Sequence, residues 1–146
     1  MGTEQRPAVV NLAGNDLFVG TTPSGHAMAI DTDHERSSAP SPVELLLVAL
    51  GSCTATDVIS ILRKKREKIT EYRVEIAGVR REDHPRAFVR MEVKHIVKGR
   101  NVSDRSVSQA IELSDTKYCS VAATLRPTVE IVSSYEIIEE DLELQG

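Results

Sequence analysis

Apolar and polar positions change period along the chain, and each change marks an element. Ala8 to Leu12 and Leu17 to Gly20 are short apolar runs either side of Gly14-Asn15-Asp16. Two such runs across a turn signal predict a hairpin. Thr22-Pro23-Ser24-Gly25 turns the chain again, into a third short strand over His26 to Ile30. Asp31 to Pro40 is a polar loop. From Leu45 to Leu62 the apolar residues then fall on almost every side of a helix: Leu45, Leu46, Leu47, Val48, Leu50, Cys53, Val58, Ile59, Ile61 and Leu62. A helix with one wet face would show a stripe instead. Ser41 is a good N-cap, Pro42 suits the first helical position, and Glu44 falls where a capping-box acid belongs. Arg63-Lys64-Lys65-Arg66 places cations at the negative end of the helix dipole. Gly51, inside the helix, predicts close approach by another backbone.

After Lys68 the period falls to two. Tyr72, Val74, Ile76 and Gly78 share one face, against Arg73, Glu75 and Arg80. Beyond a turn at Arg81 to Pro85, Val89, Met91, Val93, His95 and Val97 form the buried set, and Phe88, Arg90, Glu92, Lys94 and Ile96 the wet one. Together they predict a long antiparallel hairpin with one side in water. Val102, Val107, Ala110 and Ile111 give helical spacing behind a Ser103 cap, to about Ser114. Asp115 to Tyr118 bends that helix, Cys119 to Leu125 starts a short further one, and Pro127 stops it. A last strand covers Thr128 to Ile138. Residues 1–5 and the acidic tail from Glu139 read as loose.

The order predicts an α+β fold in one domain over residues 1–146, with antiparallel sheets wrapped around a long, buried central helix. One chain of this size has little with which to cover every side of that helix, so a second copy is expected to do it. A membrane span is not expected, because Asp57 and a run of Gly, Ser and Thr interrupt the apolar stretch, which falls short of about 20 residues. Aromatic content is 3%, so aliphatic side chains must fill the core. A net charge of −4 argues against a general nucleic-acid or membrane-surface binder. With no apolar signal region, the expected location is cytoplasmic.

In that compartment a permanent disulfide is not expected. Cys53 and Cys119 lie 66 positions apart, with no CxxC spacing. His26, His34, His84 and His95 are scattered among strands and loops, so no metal and no cofactor is expected. His95, alone on an apolar face, reads as a satisfied core residue. From the residues alone, the cysteines are small buried hydrophobes as readily as they are reagents.

Pro42-Val43-Glu44-Leu45-Leu46, Ala49-Leu50-Gly51-Ser52-Cys53 and Lys117-Tyr118-Cys119-Ser120-Val121, taken together, resemble the OsmC family of osmotically inducible and organic hydroperoxide resistance proteins. The order of elements is similar too, over nearly the whole chain. The resemblance implies an intertwined homodimer with the cysteine-bearing helices at its centre. It also implies a cysteine-based peroxidase in oxidative-stress defence, acting on organic hydroperoxides and recycled by small or protein-borne dithiols. By position, Cys53 is similar to the peroxidatic cysteine and Cys119 to the resolving one.

The chain also departs from the family pattern. Peroxidase members activate their cysteine with an arginine held by a glutamate directly after the helix-start proline, and here that position is Val43. Glu44 and Arg36 are candidate supporting residues, with Arg126 and Lys117 as weaker ones. Glu44, however, is nine residues from Cys53 on the same helix, so it faces the other way and lies about 13 Å along the axis. Cys53 is mid-helix beside Asp57, and burial with a carboxylate nearby raises a thiol pKa. Without a cation from elsewhere it is expected to stay protonated at neutral pH. The alternative function is a dimeric module that binds an apolar ligand or senses redox state, with little peroxidase activity.

Overall fold

The computed structural model describes residues 6–141. It is mixed α+β, with two three-stranded sheets and one long helix. The described residues form two compact units, divided after Leu46. The expected loose ends, residues 1–5 and 142–146, lie outside the described residues. Glu139 and Glu140 of the tail are ordered, with the Glu140 amide donating to the Gly99 carbonyl at 2.8 Å.

In the first unit, β1 (Val9–Gly14), β2 (Leu17–Thr21) and β3 (Ala27–Asp31) pair antiparallel in chain order. The Gly14-Asn15-Asp16 turn runs through three positive φ values, a conformation glycine and short polar residues tolerate. The polar loop after β3 closes on Asp31. This carboxylate accepts two bonds from Arg36 (2.8 and 2.9 Å), two from Ser38 and one from the Asp33 amide. The guanidinium holds the Asp31 carboxyl well below the usual carboxylate range, helped by Ser38. The helix entry is a capping box: the Ser41 amide donates to Glu44 Oε1 at 2.9 Å, and the Glu44 amide donates to Ser41 Oγ at 3.4 Å.

Helix α1 runs Pro42–Lys64. It is longer than the apolar stretch suggested, and by length and composition it could cross a bilayer. Its packing is that of a core helix: Val58 and Leu62 are fully buried with Val97 of the second sheet and Val107, Ala110 and Ile111 of a second helix. The expectation of burial on every side is met on one side only, that of Leu50, Gly51, Thr54, Val58 and Leu62. Val48, on another side, is 64% exposed in the single chain. Gly51 does meet a close neighbour, but it is a side chain: a Cβ there would collide with Ile76 Cδ1.

The second sheet has the order β4 (Lys68–Arg80), β5 (Phe88–Arg100), β6 (Glu130–Glu139). The long antiparallel hairpin forms as expected. β6, however, pairs parallel to β5, so this sheet is mixed rather than antiparallel. The reason is the crossover: α2 (Asp104–Leu113), a π-helical turn (Ser114–Tyr118) and α3 (Ser120–Leu125) carry the chain back before β6 starts. The period-two reading also slips at one place. Val79 pairs with Arg90 and Arg80 with Phe88, which leaves Val89 as the extra residue of a bulge. A bulge resets the alternation. Phe88 is therefore buried and Val89 exposed, the reverse of the expectation. A Cβ on Gly78 would strike the Phe88 ring, so the glycine makes room for the redirected side chain. Ile96, expected wet, is also buried on the central strand.

Candidate functional site

Ser103 caps α2 as expected, with Ser106 N–H donating to its hydroxyl at 3.2 Å. The bend expected at Asp115 to Tyr118 is the π turn, a widened loop of helix common at functional sites. Its last bond runs from the Cys119 amide to the Ser114 carbonyl at 2.9 Å. Cys119 is extended (φ −75, ψ 102) and caps α3 through its sulfur, which accepts from the Ala122 amide at 3.4 Å.

This turn brings the two cysteines together. Both are free thiols, Cys53 half-buried and Cys119 buried. The start of α3 lies against Cys53, whose Sγ is 3.8 Å from Ser120 Oγ, and the two thiols are close enough to shift each other's pKa. The two are pushed in opposite directions. Burial raises the Cys53 thiol, but the Val121 amide, the Cys119 thiol and the Ser120 hydroxyl and amide outweigh it, and the net shift is down. Burial pushes Cys119 up to about 11, with the neighbouring Cys53 and Asp57 adding to the rise. Cys53 is thus the more readily ionised thiol of the two, and Cys119 the one that keeps its proton.

The expectation that a mid-helix Cys53 is raised unless a cation serves it is corrected here. Its own helix gives it no help, but the first amides of α3 do. Among the described residues, no cation is among the groups that lower it. Arg36 is committed to Asp31 and to the Asn15 carbonyl at 2.8 Å. Glu44 is committed to the capping box. Arg126 pairs with Asp115 at 3.7 Å, and Lys117 lies over the Tyr118 ring at 5.3 Å from its centroid. The two candidate cysteines of the sequence lie in one neighbourhood, and Ser120 and Val121 beside them were not among the candidates. The expected helix start at Cys119 was the available signal; where that start points was not.

The second unit holds two buried polar clusters, the first of them beside Cys53. Thr54, next to Cys53, has its hydroxyl 2.8 Å from Ser114 Oγ, and Ser114 donates to Asp57 Oδ2 at 2.9 Å. Thr54 and Ser114 are both fully shielded from solvent. On the sheet, His95 Nδ1 is 2.7 Å from the Tyr72 hydroxyl, while His95 Nε2 is buried without a partner. His95 is thus half satisfied rather than wholly so. Burial depresses its pKa to about 4 and raises that of Tyr72, which also feels the charge of Asp57.

A nucleophile held toward its thiolate, beside a second thiol that keeps its proton, can accept an oxidising equivalent and pass it on as a disulfide. Residues 33–134 match the family described as OsmC-like protein. The chain is 42% identical to Protein YhfA of Escherichia coli (strain K12) over 121 residues, 83% of this chain and 90% of that one. It is similar to the crystal structure of a hypothetical protein from Aquifex aeolicus VF5, with 32% identity, a TM-score of 0.84, and 95% and 100% of the two chains covered. The organic hydroperoxide resistance protein OhrB of Bacillus subtilis shares the fold, with a TM-score of 0.60 at 13% identity over 90% and 98% of the chains. With the family match spanning well over half of its length, this chain belongs to the OsmC-like protein family.

Proposed function

We propose that the chain, acting as one domain, is a cytoplasmic, cysteine-based thiol peroxidase that reduces organic hydroperoxides. The Cys53 thiolate attacks the distal peroxide oxygen. The S–O bond forms as the O–O bond breaks, and the departing alkoxide takes a proton and leaves as the alcohol. Cys119 then attacks the sulfenic sulfur: the S–S bond forms, and hydroxide leaves with the Cys119 proton as water. An external dithiol restores both thiols by two exchanges. The carrying observation is the π turn that sets Cys119 and the start of α3 against Cys53, with Ser120 Oγ 3.8 Å from Cys53 Sγ, and the opposed tuning of the two thiols, Cys53 lowered and Cys119 raised, agrees with it. The exposed apolar side of α1, Val48 included, supports a homodimer as the working form. Stopped-flow oxidation with cumene hydroperoxide tests the reading. Wild type is expected to react at least about a thousandfold faster than Cys53→Ser, because the thiolate is the nucleophile. Equal, negligible rates would remove the proposal.

A second reading has its own observation. A groove of about 340 Å³ between α1 and β4 is lined by Val48, Ala55, Val74 and Ile76, with Tyr72 and Arg73 supplying polar atoms. It favours a module that binds an apolar small molecule and senses redox state through its thiols. Native mass spectrometry of the purified protein separates the two, since a consistently empty protein counts against the binder.

A further inference from the structure

Asp57 has no part in the two-thiol chemistry above, yet it is wired to it. It lies one helical turn beyond Cys53 on α1. Its carboxylate accepts from Ser114 Oγ at 2.9 Å, and Thr54 binds the same hydroxyl at 2.8 Å. Ser114 is fully buried and opens the π turn, and its carbonyl receives the Cys119 amide that closes the turn at 2.9 Å. Asp57 and Cys53 therefore hold the two ends of one device from the same helix. Asp57 anchors the start of the turn, and Cys53 meets the thiol at its finish.

We propose that Asp57 is a positioning residue for the second thiol: through Ser114 it fixes the π turn that delivers Cys119 to Cys53, and so governs disulfide closure rather than the first attack. The inference rests on the two-thiol reading but not on peroxide as the oxidant. Two features agree with it. A π turn is wider than an α-helical one and needs outside support to persist. The charge of Asp57 also disfavours the Cys119 thiolate, so the carboxylate bears on when the second thiol can attack as well as on where it sits. The titratable groups facing this cluster are Cys53 on α1, Tyr72 on β4 and His95 on β5, while Asp115 of the turn is paired with Arg126. His95 is neutral above about pH 4, so it does not change charge where thiols titrate.

Dithiodipyridine isolates the two steps without peroxide. Cys53 attacks the pyridyl disulfide, forming a mixed disulfide and releasing one thiopyridone. Cys119 then displaces the second thiopyridone as the internal disulfide forms. The two releases are followed by absorbance across pH, in wild type, Asp57→Asn, Asp57→Ala and Ser114→Ala. Asp57→Asn keeps an acceptor for Ser114 but loses the charge. It is expected to leave the first release within about twofold and to move the pH midpoint of the second downward. Asp57→Ala and Ser114→Ala lose the anchor and are expected to slow the second release by about tenfold or more, with the first within about threefold. The proposal is overturned if the variants close at the wild-type rate and midpoint, if both releases slow together, or if wild type shows one release only. Should Asp57→Ala fail to fold, Asp57→Asn and Ser114→Ala still decide. Two clean releases in a wild type that ignores cumene hydroperoxide would sink the peroxidase and leave the role of Asp57 standing.

Discussion

Asp31 and Cys53 are both held toward their anions, by different means. Asp31 is served by a guanidinium in two-point contact, by a hydroxyl and by amides, and its charge is matched by that of Arg36. Cys53 is served by the Val121 and Ser120 amides, the Ser120 hydroxyl and its partner thiol. The first is a structural knot: a carboxylate whose oxygens are filled is inert. The second leaves its sulfur half-buried, with dipoles aimed at it and, among the described residues, no cation among the groups that lower it. Amides lower the energy of a thiolate while leaving room for a substrate, which a bound arginine would contest.

The largest expected effect sharpens the contrast by testing whether the buried interior of the second unit tolerates a cation at all. His95 is held neutral by burial, with a pKa near 4 against 6.5 for the free side chain. Its depressed value means that the unfolded chain takes up a proton below pH 6.5 while the folded one does not until about pH 4. Stability is therefore complete above pH 6.5 and declines through that window as pH falls, by about 3 kcal/mol in all. Chemical denaturation from pH 7 to pH 4 measures it, and His95→Gln should flatten the slope. A wild type with no slope would mean that His95 carries its charge inside the fold, against the reading of a dry, cation-poor interior.

Much of this was legible in the sequence where one segment settles its own structure. The Ser41–Glu44 capping box, the Ser103 cap, the hairpin alternation and the bend before Cys119 each depend on neighbours within a few positions. The two cysteines were singled out through the family resemblance, and the family itself is the part of that reading the family match bears out. What stayed hidden depends on where one element lies against another. Val89 becomes the bulge residue because of its pairing with β4, and no alternation along β5 shows that. β6 runs parallel because of where the α2–α3 crossover ends. The activating groups escaped for a further reason: they are backbone amides, which carry no residue signature. A cationic side chain was the expected activator, and no side-chain pattern points to an amide.

The next effect removes one of those amides with little other damage. Ser120 is the first residue of α3, a position where proline is welcome because its N–H has no helical partner. Cys119 before it is already extended at ψ 102, which a following proline requires. Ser120→Pro thus deletes one amide and one hydroxyl from the Cys53 environment while the helix start is preserved. Alkylation of Cys53 by iodoacetamide at pH 7 is expected to slow by about tenfold, since hydrogen bonds to a charged group are worth about 1.5–3 kcal/mol each. An unchanged rate would move the credit to Val121 and Cys119 alone.

The smallest expected effect is the one that could break the comparison. Arg36→Gln removes the cation that the family pattern would have brought to the thiol. Here its bonds go to Asp31 and the Asn15 carbonyl, so the loss should fall on the loop after β3. Asp31 would keep Ser38 and the Asp33 amide as partners, and its carboxyl would rise toward the ordinary range as the guanidinium departs. The stability Asp31 contributes is present above the carboxylate range and fades as pH falls, so the variant should be the less stable protein at neutral pH, with the gap to wild type narrowing as pH falls into the acid range. The pH profile of Cys53 alkylation, by contrast, should keep its midpoint and stay within about twofold in rate, because the donors that lower it are untouched. A clear upward move of that midpoint in Arg36→Gln would show the guanidinium reaching a thiol in the assembled protein, and the two anions would then share one cation rather than divide two solutions between them.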